Sequence, residues 1–363
     1  MTPGARVSAA IGVLDAWALG QPVEQALTNW ARGARYAGSG DRAAVRDHVY
    51  DVLRQRGSAG ALGGGQTGRA LMIGLMRLQG ADPATVFTGQ GHAPAPLSEA
   101  EAGFAAPMPG PEVDVPDWMR PALAGRAGDR LDALLEAMRH RAPVWLRVNT
   151  GRADPADAIA RLAEHGIDAR ADDRGARALE VTSGARRVKS SAAYLDGWVE
   201  VQDLSAQRAV EAVDWPGTGR ILDYCAGGGG KALAIAALSG AALFAHDASP
   251  ARMRDLPARA ARAGVTIWQL AGADLPGTAP FDAVLCDVPC SGSGTWRRDP
   301  EAKWRLTPAR LAELEAVQAE ILSEAARLVR PGGRLVYMTC SLFASENEDQ
   351  VARFLATQPG WTC

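Results

Sequence analysis

The feature that most limits the possible folds is a regular alternation of short apolar segments with helical segments after about residue 205. The short segments are RILDYC, ALFAHD, VTIWQL, FDAVLCDV and RLVYMTC. The longest helix is predicted over residues 308–329, after the capping residue Thr307 and before RPGG. A capping box, Ser345 to Glu348, predicts the start of the last helix. Strands that alternate with helices favour a parallel sheet covered on both faces. The sequence therefore predicts a doubly wound α/β domain over residues 201–363.

The N-terminal part of the chain shows a different pattern, with no convincing alternation typical of strands. Residues 1–80 carry apolar side chains at helical spacing, such as Val45, Val49 and Val52, which predicts an all-helical domain. Residues 81–117 are rich in Pro and Gly and predict a linker.

Residues 118–200 are expected to form a helix followed by a small α/β unit. The segment VWLRVNT is typical of a strand. A helix follows it, with Asp154 at the N-cap, Pro155 at the first position and Gly166 beyond the end. This part of the chain is therefore a separate structural unit in front of the larger sheet.

The composition bounds location and partners. Five cysteines, an odd number without regular spacing, indicate a reducing compartment, and the cytoplasm is the expected location. No apolar run reaches the length of a membrane span, and the start lacks the apolar core of a signal peptide. A net charge of −2 neither indicates nor excludes a nucleic-acid partner, because binding needs only a local basic surface. The clusters RRVK and WRRDPEAKWR are candidates for such a basic surface. The alternative is that both clusters are ordinary solvent-exposed faces with no partner.

Four consecutive glycines follow the first strand of the predicted sheet. Such a loop lets the backbone approach a ligand closely, and Asp247 ends the next strand about twenty residues later. The pattern Gly227-x-Gly229-x-x-Ala232 fits the loose dinucleotide fingerprint, so NAD is one interpretation. A P-loop is excluded because Lys231 is followed by alanine. S-adenosylmethionine and a purely structural turn remain, and the loop alone does not decide among them.

Two cysteines stand where predicted strands end. Cys290 follows the fourth strand, shortly after Asp287, and Cys340 follows the fifth. The carboxyl ends of parallel strands share one edge of a sheet, so these groups are expected to converge beside the glycine loop. Cys286 and Cys225 are expected to be core thiols. The five histidines are scattered, so no metal site is predicted.

The segments VQDLSAQ, DYCAGGGGK, FDAVLCDVPCSGSG, RRDPEAKW and YMTCSLFASENEDQV occur in this order. Together they resemble the Sun/Nop (RsmB-like) family of RNA cytosine-5 methyltransferases, over residues 140–357. The resemblance implies a class I (Rossmann-like) methyltransferase domain, preceded by a small α/β RNA-binding unit. The helical N-terminal domain is similar to the NusB-like domain of bacterial members.

The resemblance also implies a mechanism and its residues. C5 of cytosine becomes nucleophilic when a thiolate adds to C6, so the enzyme needs an activated cysteine. In the family the nucleophile is the cysteine of the TC motif, here Cys340. The cysteine of the PC motif, here Cys290, assists breakdown of the covalent adduct. Asp287 would hold N3 of the base, and Lys231 would lie near the transferred group.

The remaining site residues are carried over from the family in the same way, with S-adenosylmethionine as the cofactor. Asp247 and Arg252 would hold the ribose, Asp274 would lie near the adenine, and Asp287 would complete the cofactor site. The residues expected around the methionyl part are Cys225, Ala226, Gly227, Gly228, Gly229, Gly230 and Lys231. The residues expected to contact RNA are Arg147, Asn149, Arg297, Arg298 and Lys303. The expected partner is RNA, foremost 16S ribosomal RNA, with no membrane association and a monomeric chain.

The sequence departs from the family at the glycine loop, where AGGGGK replaces the usual AAPGGK. Loss of the proline makes the loop more flexible, which predicts weaker cofactor binding.

Transfer RNA is the alternative substrate. A DNA methyltransferase would use Cys290 as the nucleophile and leave Cys340 without a role. A NAD-dependent oxidoreductase gives neither cysteine a role, and a non-catalytic RNA-binding assembly factor is the alternative outside enzymes.

Overall fold

A computed structural model describes residues 1–172 and 175–363. The chain divides into two compact units. One consists of Met1–Ala142 and Gly292–Pro308, and the other of Pro143–Ser291 and Ala309–Cys363. The first unit is therefore built from two separate stretches of the sequence.

The helices and strands are numbered along the chain. The helices are α1 (Pro3–Ala18), α2 (Val23–Gly33), α3 (Ser39–Arg54), α4 (Arg56–Gly63), α5 (Gly68–Leu78), α6 (Glu99–Gly103), α7 (Arg120–Ala127), α8 (Leu131–Met138), α9 (Pro155–Ala163), α10 (Ala192–Leu195), α11 (Leu204–Glu211), α12 (Gly230–Ala236), α13 (Leu256–Ala263), α14 (Leu275–Thr278), α15 (Pro300–Arg305), α16 (Pro308–Ala326) and α17 (Glu348–Thr357). The strands are β1 (Val144–Val148), β2 (Ala169–Asp172), β3 (Gly175–Val181), β4 (Val199–Val201), β5 (Arg220–Asp223), β6 (Ala242–Ala245), β7 (Ile267–Gln269), β8 (Phe281–Asp287) and β9 (Val329–Met338).

The first unit is helical, and within residues 1–142, all of which are described, there is no strand. This confirms the prediction for the N-terminal part of the chain. The side chains predicted at helical spacing, Val45, Val49 and Val52, are fully buried in its core. Thr2 caps α1 by accepting a hydrogen bond from the Ala5 amide. None of the helices in the described ranges is long and apolar enough to cross a bilayer.

The second stretch of the first unit carries α15, which comes from the segment RRDPEAKW. Glu301 accepts hydrogen bonds from the indole of Trp17 and from the Val23 amide, at 3.1 Å each. The indole of Trp304 donates to the Leu53 carbonyl at 2.7 Å. These bonds fix α15 to the ends of α1 and α3, so this segment contributes directly to the helical unit.

The second unit begins with a four-stranded antiparallel sheet in the order β2-β3-β1-β4. Leu146 and Val148 point from β1 into a fully buried core beneath α9. Alternation along the strand turns Arg147 to the opposite face. The predicted helix is confirmed, since Asp154 caps α9 by accepting from the Asp157 amide at 2.9 Å.

The larger sheet has five parallel strands in the order β7-β6-β5-β8-β9. The predicted doubly wound, parallel arrangement is confirmed. Its strand order reverses between β5 and β8, so β6 and β8 lie on either side of β5. Ligands of such sheets bind at the carboxyl ends of the strands at this switch point. The glycine loop follows β5, and Asp287 ends β8, so both border that crevice.

Two local predictions in this domain are wrong. The helix expected over residues 308–329 ends at Ala326, and RPGG lies inside β9. The capping box from Ser345 does not form, because α17 begins only at Glu348 and Asn347 precedes it. The Asn347 side chain accepts a hydrogen bond from the Thr339 hydroxyl at 2.7 Å. Contacts with the loop after β9 therefore decide where α17 starts.

Candidate active site

The glycine loop turns sharply between β5 and α12. Gly227 and Gly229 have φ values of 50° and 78°, in the left-handed region that favours glycine. A Cβ built at Gly229 would lie 2.1 Å from Cδ1 of Leu256. The Gly229 amide donates to the Ala226 carbonyl at 2.8 Å, which closes the turn. The loop therefore requires glycine at these two positions and presents bare backbone to the crevice.

Asp247, after β6, holds this loop in place. Its carboxylate accepts hydrogen bonds from the Gly227 amide at 3.0 Å and from the Ser249 amide at 2.9 Å. The Arg252 guanidinium lies 3.2 Å from the same carboxylate. Asp247 is buried and Arg252 is exposed. The structure thus brings two of the predicted ribose residues together with the glycine loop.

A lysine and an aspartate pair across the switch point. Nζ of Lys231, in the first turn of α12, donates to Oδ2 of Asp287 at 2.5 Å. Both side chains are partly buried. The pair joins the carboxyl end of β8 to the helix that follows the glycine loop. Lys231 and Asp287 therefore lie together, as predicted for two residues of the same site.

Asp223, the last residue of β5, is a further acid in this crevice that the sequence analysis did not single out. It is almost completely buried. Within the described residues no side chain donates to its carboxylate, although the nearby backbone amides of Ala232 and Cys225 lower its pKa. Burial and the nearby charge of Asp287 raise its pKa to about 7, against the effect of Lys231. The available signal was its position, because an acid that ends the strand before a glycine loop faces the ligand crevice.

The two cysteines at the strand ends meet. Sγ of Cys290 and Sγ of Cys340 lie 3.3 Å apart. A hydrogen bond from Cys290 lowers the pKa of the Cys340 thiol, and Lys231 adds to this effect. Two influences act in the opposite direction and raise the Cys340 pKa. They are the partial desolvation of its sulfur, although the residue as a whole is exposed, and the negative charge of Asp287. The hydrogen bond from Cys290 thus favours the thiolate form of Cys340.

The other thiols of this domain lie in less favourable surroundings for ionisation. Burial raises the pKa of Cys225 to about 12 and that of Cys286 well above its ordinary value. Nearby carboxylates, Asp223 among them, raise both further. Cys286 is a core thiol, as expected for a residue inside β8.

A buried glutamate connects the two cysteine loops, and the sequence analysis missed it. Oε1 of Glu346 accepts from the Ser291 amide at 2.8 Å and from the Gln318 side chain at 2.9 Å. Oε2 accepts from the Ser341 hydroxyl at 2.5 Å. Ser291 and Ser341 directly follow the two cysteines in the sequence. Glu346 therefore holds both thiols at a fixed separation, and no local pattern distinguishes it from a surface glutamate.

The remaining predicted residues are not all at this site. Asp274 is exposed before α14 and has no side-chain partner among the described residues. Asn149 donates to the carbonyls of Gly197 and Ala263, at 3.1 and 2.9 Å. Arg147 is buried, and its Nε donates to Gln202. Both of these residues from RVNT line a cavity within the second unit.

The basic residues of the first unit also differ in exposure. Arg298 is exposed, whereas Arg297 is partly buried and donates to the His140 and Arg141 carbonyls. Lys303 is almost completely buried, and its Nζ donates to the Arg54 carbonyl at 3.2 Å. Burial lowers the Lys303 pKa to about 8. In this structure Lys303 is a packing residue that cannot reach an RNA phosphate.

Comparisons with known protein families agree with the fold. The family model described as 16S rRNA methyltransferase RsmB/F matches residues 213–363. A second model, described as the ferredoxin-like domain of RsmF/B-like methyltransferases, matches residues 115–187. The two matches cover most of the small α/β unit and the larger sheet.

Curated proteins named ribosomal RNA small subunit methyltransferase B are similar to the chain. The protein of Xanthomonas campestris is 37% identical over 255 residues, which are 66% of this chain and 56% of that protein. The protein of Klebsiella pneumoniae is 34% identical over 250 residues, or 67% and 58% of the two chains. A probable methyltransferase B from Synechocystis is 33% identical over 261 residues, or 69% and 58%. The chain thus spans little more than half the length of these relatives.

Solved structures share the architecture. The structure of PH0851 superposes with a TM-score of 0.76 at 25% identity, covering 99% of this chain and 90% of that one. A methyltransferase homologue from Pyrococcus horikoshii superposes with a TM-score of 0.56 at 26% identity, covering 65% and 77%. The first of these similarities extends over nearly the whole chain, the helical N-terminal part included.

Proposed function

Because the chain belongs to the RsmB-like (Sun/Nop) family of RNA methyltransferases, we propose that it transfers a methyl group from S-adenosylmethionine to C5 of a cytosine in 16S ribosomal RNA. The observation that carries this proposal is the Cys290–Cys340 pair, with its sulfur atoms 3.3 Å apart at the switch point of the sheet. Two thiols held together at a ligand crevice fit a reaction that makes and then breaks a covalent bond to the substrate.

The proposed chemistry starts at Cys340. Its thiolate adds to C6 of the cytosine while Asp287 holds N3, and the electron pair moves to C5. C5 then forms a bond to the methyl carbon as the bond from that carbon to sulfur breaks. A base removes the C5 proton, and the Cys340–C6 bond breaks to restore the aromatic ring. Cys290, next to this bond, assists the final step.

The residues of the crevice fit S-adenosylmethionine, which when bound supplies an electrophilic methyl group. The buried carboxylate of Asp223, to which no side chain among the described residues donates, suits a ligand that carries positive charge. The glycine loop turns sharply at Gly227 and Gly229 and brings its backbone to the carboxyl end of β5, where ligands of such sheets bind. Asp247 holds the loop through the Gly227 amide, and Arg252 pairs with the Asp247 carboxylate. We assign Asp223, Asp247, Lys231 and the glycine loop to the cofactor site.

We infer the nature of the RNA from the relatives, whose names refer to the small ribosomal subunit. Of the predicted RNA contacts, we retain Arg298, which is exposed. None of the five cysteines, all of which lie in the described residues, forms a disulfide, and a reaction that depends on two thiols needs a reducing environment. We therefore place the activity in the cytoplasm, where ribosomal RNA and reducing conditions coincide.

A trapping experiment tests the proposal. The Cys290→Ala variant is mixed with S-adenosylmethionine and unmodified small-subunit RNA, and the products are separated on a denaturing gel. We expect a slowly migrating RNA–protein band, because the adduct forms but is released slowly. The band should disappear when Cys340 is also replaced by alanine.

Parallel reactions with transfer RNA and duplex DNA define the substrate class. A band that forms only with transfer RNA would correct the RNA assignment. A band that persists without Cys340 would overturn the assignment of the nucleophile. No band, together with no methyl transfer by the unmutated protein to any of these nucleic acids, would favour a non-catalytic RNA-binding factor.

A further inference from the structure

A cavity of about 530 Å³ lies within the second unit, between the four-stranded sheet and the helices α12 and α13. It is lined by the end of β1, by β4 and by the last turns of both helices. Neither Cys290 nor Cys340 is among its lining residues. Gln202, the partner of Arg147, donates to the Gly230 carbonyl at 3.2 Å, so the cavity wall is connected to the glycine loop.

A buried arginine faces this cavity with most of its donors unused. Arg147 is only 5% exposed, and Nε donates to Oε1 of Gln202 at 2.7 Å. Among the described residues neither Nη atom has a hydrogen-bond or ion-pair partner. Burial lowers the Arg147 pKa to about 10. Buried charges in proteins are normally paired. The charges of Glu200 and Glu211 act on this guanidinium from a distance, but among the described residues no carboxylate forms a direct ion pair with it.

The acid that lines the same cavity is already paired. Oε1 of Glu200 lies 3.2 Å from Arg259, and Oε2 lies 2.5 Å from Arg262. Arg152, also at the cavity wall, uses only Nε, which donates to the Ala263 carbonyl at 3.2 Å. Within the described lining, positive charge therefore exceeds negative charge, and two guanidinium groups retain free Nη donors.

The helix ends at the cavity would otherwise repel an anion, because carbonyl groups at a helix C-terminus carry partial negative charge. These carbonyls are occupied. The Ala263 carbonyl of α13 accepts from the Asn149 side chain at 2.9 Å. The Ala237 carbonyl, just after α12, accepts from Arg177 at 3.3 Å. The cavity thus presents donors, rather than acceptors, to a ligand.

We propose that this cavity binds a phosphate ester, with Arg147 and Arg152 on the phosphate oxygens. Guanidinium groups bind phosphate through paired N–H donors in a fork that matches its geometry. The volume falls in the range of small-molecule sites, about 300–1,000 Å³, and exceeds what an inorganic phosphate ion occupies. The apolar side chains of Leu233, Val199 and Val265 line the remaining space and would pack against the organic part.

The phosphate ester has two possible sources, a free nucleotide or a nucleotide unit of an RNA chain, and both present the same group to the arginines. Calorimetric titrations of the full chain with inorganic phosphate and with cytidine 5′-monophosphate, at constant ionic strength in chloride, test the proposal. We expect both to bind, the nucleotide more tightly. Arg147→Gln should weaken binding at least about tenfold, or about 1.4 kcal/mol.

Arg152→Gln provides a second variant, because this exposed residue contributes little to the core. It should also weaken binding, whereas Arg35→Gln, an exposed arginine of the first unit, should leave it unchanged. Binding of the nucleotide that is equally strong in all three variants, or no binding at all, overturns the proposal. Circular dichroism confirms that each variant is folded.

A five-nucleotide RNA distinguishes the two sources. Displacement of inorganic phosphate by this RNA, lost in Arg147→Gln, assigns the site to the RNA chain. Phosphate that stays bound in its presence assigns the site to a free phosphate ester. Methyl transfer is measured on the same preparations. Transfer without phosphate binding overturns the cavity proposal alone, and phosphate binding without transfer counts against the proposed enzymatic function alone.

Discussion

Sγ of Cys290 and Sγ of Cys340 lie 3.3 Å apart, after strands that run side by side in the parallel sheet. The separation fits a hydrogen bond from one thiol to the other as a thiolate. A hydrogen bond donated by Cys290 lowers the pKa of the Cys340 thiol. This effect supports the proposed role of Cys340 as the nucleophile.

Replacing Cys290 by alanine removes this hydrogen bond, so we expect the Cys340 pKa to rise. Only the thiolate reacts rapidly with iodoacetamide. In the unmutated protein the alkylation rate at Cys340 should increase with pH around a midpoint below 9.0, the ordinary thiol value. In Cys290→Ala the midpoint should move upward. Peptide mass spectrometry gives the rate at each cysteine, with buried Cys286 as the unreactive control. An unchanged midpoint would contradict the proposed hydrogen bond.

Glu346→Gln should separate the two cysteine loops. The Glu346 carboxylate accepts hydrogen bonds from Ser291, Gln318 and Ser341. The amide of glutamine has only one acceptor oxygen for these three donors, and its NH₂ group would face at least one of them. Buried donors left without a partner cost about 1–3 kcal/mol, so we expect a loss of this size in the free energy of unfolding, measured in urea. Methyl transfer should fall as well, because the direct contact between the Ser291 and Ser341 hydroxyls, 3.2 Å apart, loses the support of the Glu346 carboxylate.

The matched control is Glu313→Gln, which removes an exposed ion pair with Arg310. Exposed pairs of this kind contribute little, about 0–1 kcal/mol. If Glu346→Gln changed the urea midpoint no more than the control does, Glu346 would have no role in holding the loops.

Gly229→Ala should abolish or strongly weaken cofactor binding. The residue has a φ of 78°, and the new Cβ would meet the Leu256 side chain at 2.1 Å. Forcing such a backbone conformation on a residue with a side chain costs about 1–3 kcal/mol, so the turn should rearrange.

Gly217→Ala is the control, because this exposed residue lies outside the loop and its Cβ would meet no atom within 4 Å. Calorimetric titration with S-adenosylmethionine measures both variants. We expect the affinity of Gly229→Ala to drop at least about tenfold and that of Gly217→Ala to stay close to the unmutated value. Equal affinities would show that the observed turn is not the binding conformation.

The fold of the larger sheet could be predicted because its signals are local. Strand length, apolar alternation with helices and the loop glycines all lie in short stretches of sequence, and the topology rules for parallel sheets then place the strand ends together. The convergence of Cys290 and Cys340 followed from that rule. The start of α17 could not be predicted in this way, because Asn347 is held by Thr339 of the preceding loop.

The burial of individual charged residues could not be predicted from the sequence either. Lys303 and Arg147 stand in basic or polar segments that resemble surface clusters, yet both are buried. The partner of Lys303 is the Arg54 carbonyl, 249 positions away, and that of Arg147 is Gln202, 55 positions away. Asp223 and Glu346 escaped notice for the same reason, since their roles depend on neighbours that only the folded chain assembles.

The pKa of Asp223, raised from 3.8 to about 7, predicts how pH acts on stability and on cofactor binding. Between these values the folded protein holds the proton more firmly than the unfolded chain. The free energy of unfolding should therefore fall as the pH rises from about 4 to 7. Asp223→Asn cannot ionise, so its free energy of unfolding should lack this contribution. Urea titrations of both proteins at pH 5 and pH 8 measure the difference, with exposed Asp214→Asn as the control.

Cofactor affinity should change in the opposite direction. A ligand with positive charge pairs with the ionised carboxylate, so the affinity for S-adenosylmethionine should rise as the pH increases through about 7. Lys231 and Asp287 face the same carboxylate and carry opposite charges, so their effects on this ligand partly cancel. In Asp223→Asn the affinity should be lower and nearly independent of pH over this range. A similar rise with pH in the variant would assign the effect to another group and remove Asp223 from the cofactor site.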